Sequence, residues 1–220
     1  LVIGVEILSR FLDWTDRSTC VLFGDGAGAV LLQASDQHGG LLGVDLFSDG
    51  TGCEASIVPA GGTVRPASVE TVEARQLKIR MLGSEVYKYA TRQMGESALA
   101  ALRNAGLTVD DIDQFVFHQA NLRIINSVQR QFGIPDDKTF VNIAKYGNTS
   151  AASVPMALVE AVGSGRVHPG DRVLMVAFGG GYTAGGAVIE WTADPARALL
   201  APGEQTRMGR PQQSLAGAAV

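Results

Sequence analysis

His118-Gln119-Ala120-Asn121 closes the apolar run Phe115-Val116-Phe117, and Tyr146-Gly147-Asn148-Thr149-Ser150-Ala151-Ala152-Ser153 follows a second run, Val141-Asn142-Ile143. Strand ends are where parallel α/β sheets keep their chemistry. An imidazole and a carboxamide held side by side offer two neutral hydrogen-bond donors to one oxygen, which suits a developing enolate or other oxyanion. Taken singly, each motif has a plainer reading. A lone histidine at a strand end is more often a packed or hydrogen-bonded structural residue, and a Gly-Asn pair is usually a turn.

The elements that must position these residues follow from the apolar pattern. Residues 1–7 and 20–23 are short apolar runs, and Gly24-Asp25-Gly26 is a turn signal before Ala29-Val30-Leu31-Leu32, so two neighbouring strands joined by a tight turn are expected. A dinucleotide-binding loop does not fit those glycines, because the segment after them is strand-like and short. Residues 39–75 are irregular, with Pro59, Gly61-Gly62 and Pro66, and predict loops and a strand over one face. Val86, Ala90, Met94, Ala98 and Leu102 then recur every four residues, an amphipathic helix that Ser84 can cap and Gly106 can end. The remaining pattern predicts strand 115–117, helix 122–132, strand 139–142, helix 153–162, strand 173–178 and strand 187–191. Alternating strands and helices imply a mostly parallel, sandwiched sheet.

With 220 residues, 46% of them hydrophobic, the chain can bury a substantial core without disulfides. Its 27 glycines fall between apolar runs rather than in a repeat, which excludes collagen-like and disordered classes. A net charge of −4 gives no electrostatic case for nucleic acid as a partner. Nothing reads as a signal peptide or a membrane span, and with only Cys20 and Cys53 a reducing cytoplasm is the simplest compartment. The opening residues read as mid-strand without an initiator methionine, so the chain is expected to be the later part of a longer polypeptide. Residues 193–220 lack periodicity and are expected to form a disordered tail. No residue spacing suits a metal, and His38 and His168 stand among loop residues without ligand partners.

His118-Gln119-Ala120-Asn121-Leu122-Arg123-Ile124 and Gly147-Asn148-Thr149-Ser150-Ala151-Ala152-Ser153 together resemble the ketoacyl-acyl-carrier-protein synthase III enzymes of the thiolase-like superfamily. Four further strings match in the same order: Thr15-Asp16-Arg17, Phe23-Gly24-Asp25-Gly26-Ala27-Gly28-Ala29, Gly83-Ser84-Glu85-Val86-Tyr87-Lys88 and Phe178-Gly179-Gly180-Gly181-Tyr182-Thr183. The resemblance covers residues 1–192. It implies a five-layer αβαβα sandwich of two similar halves, of which this chain holds the end of the first (1–80) and all of the second (81–192), with the boundary near 75–83. It further implies type II fatty-acid initiation, in which a short acyl-coenzyme A condenses decarboxylatively with malonyl-carrier-protein. The acyl-coenzyme A is a substrate, no cofactor is needed, and the family is typically homodimeric.

The same resemblance assigns roles. His118 and Asn148 would donate to the malonyl thioester oxygen, and the Gly180 backbone N–H to the acyl-cysteine carbonyl. Arg17 would stack on the coenzyme's adenine, Gly83, Tyr87 and Asn121 would line its pantetheine tunnel, and Lys88, Arg123 and Arg130 would dock the acidic carrier protein. The nucleophile is not expected here: Cys20 reads as a packing residue in a buried strand and Cys53 as an exposed loop thiol. The chain alone should therefore not condense anything. Two other functions share the motifs: acyl transfer to an alcohol or amine in secondary metabolism, and a non-catalytic partner subunit. Intact His118 and Asn148 favour condensation, since simple acyl transfer needs no enolate.

Overall fold

The computed structural model describes residues 1–36 and 38–193. Along the chain run β1 (Val2–Glu6), β2 (Gly26–Val30), β3 (Gly40–Ser48), β4 (Ser56–Ile57), α1 (Val69–Glu73), β5 (Arg80–Met81) and α2 (Gly83–Ala105). Then follow β6 (Gln114–Phe117), α3 (Leu122–Phe132), α4 (Ile143–Tyr146), α5 (Ser153–Gly163), β7 (Arg172–Gly179) and β8 (Thr183–Glu190). Residues 194–220, and with them nearly all of the expected tail, lie outside the described residues.

One four-stranded sheet, ordered β3-β8-β7-β6, carries the core. Both its faces are covered, as the apolar runs require. Along β6 successive side chains point to opposite faces. Phe115 and Phe117 join Ala90, Met94, Ile125 and Val128 from α2 and α3, whereas Val116 joins Ala157, Leu158 and Ala161 from α5. Beyond α5 lies the antiparallel pair β1–β2, whose Val30 packs on the α5 core. Helices α2 and α3, the sheet, α5 and the β1–β2 ribbon are thus four successive layers of an αβαβα sandwich.

Helix α2 approaches the sheet closely because β3 and β8 present glycines to it. A Cβ at Gly186 would stand 2.6 Å from the Ser97 carbonyl oxygen, and one at Gly43 would stand 2.5 Å from that of Ala101. The helix ends at Gly106 in the left-handed conformation, as expected. Its start differs: Leu82 is the N-cap residue, and Ser84 lies inside the first turn without capping it.

Several expected elements need correction. The sheet is mixed rather than mostly parallel. Only β6 and β7 run parallel, and three residues between β7 and β8 allow a hairpin but not a crossover. Residues 20–23 are not a strand. Asp16 accepts hydrogen bonds from the Ser18 N–H (2.9 Å) and the Thr19 hydroxyl (3.0 Å), so turns claim the segment and only Phe23 makes a β-bridge. Cys20 is accordingly half-buried in a turn, not packed in a strand. The partner of β2 is β1, and Gly26 and Gly28 are strand residues, at which a Cβ would meet Met156 and Pro155 of α5.

The expected strand 139–142 reduces to one bridge between Thr139 and Phe115. Beyond it the chain bonds to the Gln119 side chain instead of a backbone ladder. The boundary expected near 75–83 does not divide the sheet, because β3 pairs with β8 along its whole length.

Candidate active site

His118 is the first residue past β6, its N–H donating to the Val176 carbonyl at 2.8 Å. The residue is 6% exposed, and the Phe178 ring stands at 67° to the imidazole with centroids 5.3 Å apart. Burial pushes its pKa down to about 4, so the imidazole is neutral near pH 7. Nδ1 lies 2.5 Å from Ser153 Oγ, at the start of α5. Next along the chain, the buried Gln119 side chain ties the two motifs together. Its Nε2 donates to the Phe117 carbonyl (2.7 Å), and its Oε1 accepts from the N–H groups of Asn142 (3.0 Å) and Ile143 (3.2 Å).

Asn148 is gripped on both sides of its peptide. Its N–H donates to the Leu22 carbonyl (2.9 Å), and its carbonyl accepts from Gly24 N–H (2.8 Å). Its Oδ1 accepts from Ser150 N–H at 2.8 Å, which turns the Nδ2 amine the other way; among the described residues Nδ2 has no hydrogen-bond acceptor. Short helix α4, which leads into this loop, is pinned to α5 by Glu160. That carboxylate accepts from Lys145 Nζ (2.6 Å), Asn142 Nδ2 (3.0 Å) and the Tyr146 hydroxyl.

Gly180 sits in the β7–β8 hairpin turn, followed by Gly181 and Tyr182, both at positive φ. A tyrosine in the left-handed region is strained, and packing must hold it there. The Tyr182 ring stacks on Tyr89 of α2 with centroids 3.8 Å apart, and Gly52 leaves room for it on the way.

His118, Asn148 and Gly180 line one cavity of about 370 Å³, together with Gly83, Tyr87 and Asn121. The wall is otherwise largely apolar, with Ile57, Val86, Ile124 and Phe178. Six of the residues expected from sequence therefore meet at one place. Arg17 is exposed outside it, although its neighbour Ser18 lines the cavity. Lys88 is exposed on α2 and paired with Glu85 at 3.3 Å. Arg123 and Arg130 are exposed on α3, forming no ion pair with a described residue, and Arg130 borders a second, shallower cavity with Leu122, Asn126 and Asp136. Neither cysteine lines the first cavity.

Sequence reasoning missed Ser153, Gln119, Tyr89 and Phe178. All but Tyr89 stand inside the quoted motifs, and for Gln119 and Ser153 an amide next to His118 and a small side chain at a helix start were the available signal. The N-cap role of Asn121, whose Oδ1 accepts Arg123 N–H at 2.9 Å, was legible but unread.

This layering and this strand-end site define a thiolase-like α/β protein. The family description 3-oxoacyl-[acyl-carrier-protein] synthase III matches residues 1–50, and its C-terminal counterpart matches residues 102–191. The chain belongs to the beta-ketoacyl-[acyl-carrier-protein] synthase III family. It is 52% identical over 192 residues to the synthase III of Desulfitobacterium hafniense, covering 87% of this chain and 58% of that protein. Among solved structures it resembles the synthase III of Aquifex aeolicus at 43% identity, with a TM-score of 0.77 over 86% of this chain and 57% of the other. It also resembles the priming beta-ketosynthase of a polyketide biosynthetic pathway, at 37% identity and a TM-score of 0.75, over 88% and 57%. The chain thus spans a little under three-fifths of the length of the relatives it matches.

Proposed function

We propose that the whole protein carrying this chain condenses a short acyl-coenzyme A with malonyl-carrier-protein, releasing carbon dioxide and coenzyme A, and that this chain supplies the decarboxylating half of the site. The observation that carries the reading is one cavity faced by two neutral donors, the buried His118 imidazole and the Asn148 amine. A thioester oxygen placed between them gains both hydrogen bonds as its carbon–carbon bond to the carboxylate breaks and negative charge collects on it. A neutral donor suits the step, because it stabilises the enolate without supplying a mobile proton.

The enolate carbon then attacks an acyl thioester on a cysteine outside this chain. The resulting oxyanion points at the Gly180 N–H, and its collapse expels the cysteine thiolate. Tyr87, Gly83 and Asn121 on the cavity wall support passage of a pantetheine arm. Arg123 and Arg130, exposed and without an ion pair among the described residues, support docking of an acidic carrier protein together with Lys88, and exposed Arg17 suits an adenine. A homodimer acting in the cytoplasm is part of the same proposal. Among the described residues no helix is long and apolar enough to cross a membrane.

The test separates the two half-reactions in the whole protein. His118→Ala should lower malonyl-thioester decarboxylation by about a hundredfold or more while transfer of the acyl group from coenzyme A to the enzyme continues. Decarboxylation that survives the substitution unchanged would remove the assigned role.

A further inference from the structure

We propose that Ser153 is a positioning residue that fixes His118 as its Nε2–H tautomer, so that the single imidazole proton faces the cavity. Ser153 Oγ is 2% exposed and lies 2.5 Å from His118 Nδ1 and 3.3 Å from the backbone nitrogen of Gln119. The Gln119 N–H can only donate, so the oxygen accepts there. The hydroxyl has one proton to give, and among the described residues His118 Nδ1 is the one acceptor within reach. If Nδ1 carried the ring proton, that proton and the Gln119 N–H would both donate to Ser153 Oγ, and the buried O–H would be left without an acceptor. The arrangement that satisfies every group runs from Gln119 N–H to Ser153 Oγ, and from Ser153 O–H to Nδ1, leaving the proton on Nε2.

The relay is built from both motifs. Gln119 and His118 come from the end of β6 and Ser153 from the first turn of α5, so the contact between strand and helix selects the tautomer. The Phe178 ring, packed at 67° to the imidazole, limits its rotation. Each bond polarises the next: accepting from Gln119 strengthens the Ser153 O–H as a donor to Nδ1, and that bond in turn strengthens the Nε2–H as a donor and holds the ring plane. The consequence for turnover rests on the enolate reading above, but the tautomer itself does not.

Two measurements keep these separate. The first is long-range 1H–15N correlation of the imidazole nitrogens in the 15N-histidine-labelled 220-residue chain at neutral pH. It has only three histidines to resolve; exposed His38 serves as the tautomer-averaging control, whereas His168 has the Asp171 carboxylate 3.4 Å from its Nδ1. His118 should show Nδ1 in the unprotonated range and Nε2 in the protonated range. Ser153→Ala should move the two nitrogens toward a common averaged value, and Ser153→Thr should restore the separation. A wild-type His118 protonated at Nδ1, or averaged like His38, overturns the proposal without any variant having to fold. So does a Ser153→Ala chain with unchanged nitrogens.

The second is malonyl-thioester decarboxylation by the whole protein. Ser153→Ala should lose about tenfold or more with acyl loading retained. A tautomer shift without that loss upholds the role of Ser153 and overturns the enolate reading instead.

Discussion

His118 is neutral because burial acts on it with no compensating charge, taking its pKa from 6.5 to about 4. Between those values the unfolded chain has already bound a proton that the folded chain refuses, so stability falls as pH falls. The contribution is complete above pH 6.5 and gone by about pH 4, a difference of about 3 kcal/mol. Urea unfolding of the chain at pH 7 and pH 4.5 should register a loss of about 2–3 kcal/mol, and His118→Gln should remove that part of the slope. Asp13, Asp16 and Asp49 also titrate below the usual carboxylate range, held down chiefly by hydrogen bonds from Thr15, Ser18 and Thr51, so their effects begin at lower pH. A wild-type chain equally stable at both pH values would mean that the ring is solvated. The donor pair was legible from residue type and spacing alone. Ser153 was not, because its contact with His118 spans 35 positions and exists only once β6 and α5 meet.

At the scale of elements, the layers hold together where glycine lets backbone meet backbone. Gly186→Ala places a methyl 2.6 Å from the Ser97 carbonyl oxygen, and no side chain can move aside to relieve it. The substitution should cost about 1–3 kcal/mol, read as a lower urea midpoint with an unchanged slope; an unchanged midpoint would mean that α2 is free to shift. Helices 122–132 and 153–163 were readable because their apolar stripes are long and, for the first, Gly133 ends the run in the left-handed conformation. Runs 20–23 and 139–142 have strand-like composition, yet other partners take their backbones: the N–H groups of Cys20 and Leu22 donate to the carbonyls of Asp16 and Thr19. Asp16 caps the turns that lead into the first through Ser18 and Thr19, and the Gln119 carboxamide binds the end of the second. Composition reports what a backbone prefers in isolation; the first segment follows a turn that a neighbouring carboxylate sets up, and the second obeys a polar side chain from elsewhere. The pairing of β2 with β1 was hidden for a related reason, since glycines that read as a turn are there to admit α5.

At the scale of the whole molecule, the layers end on an apolar surface. In the ribbon β1–β2 Gly26, Gly28 and Val30 meet α5, but Ile3 and Val5 are each 59% exposed, and Leu31 and Leu32 just beyond β2 more than 70%. A two-stranded ribbon with one bare apolar face is marginal by itself, and a patch of this kind marks a surface that something covers. The four layers described leave the αβαβα sandwich one helical layer short on this side. The relatives are longer than the chain, and we propose that the remainder of the whole protein packs here. Ile3→Thr with Val5→Thr tests it, because threonine keeps the β-branched shape that strands favour while removing apolar area. In the 220-residue chain the pair should change stability by no more than about 0.5 kcal/mol and lower binding of a hydrophobic-surface dye. In the whole protein the same pair should cost about 2–4 kcal/mol, as two buried apolar side chains become polar. Equal, small effects in both would show that the face stays bare, and a large effect in the chain alone would show that it is already covered within these residues.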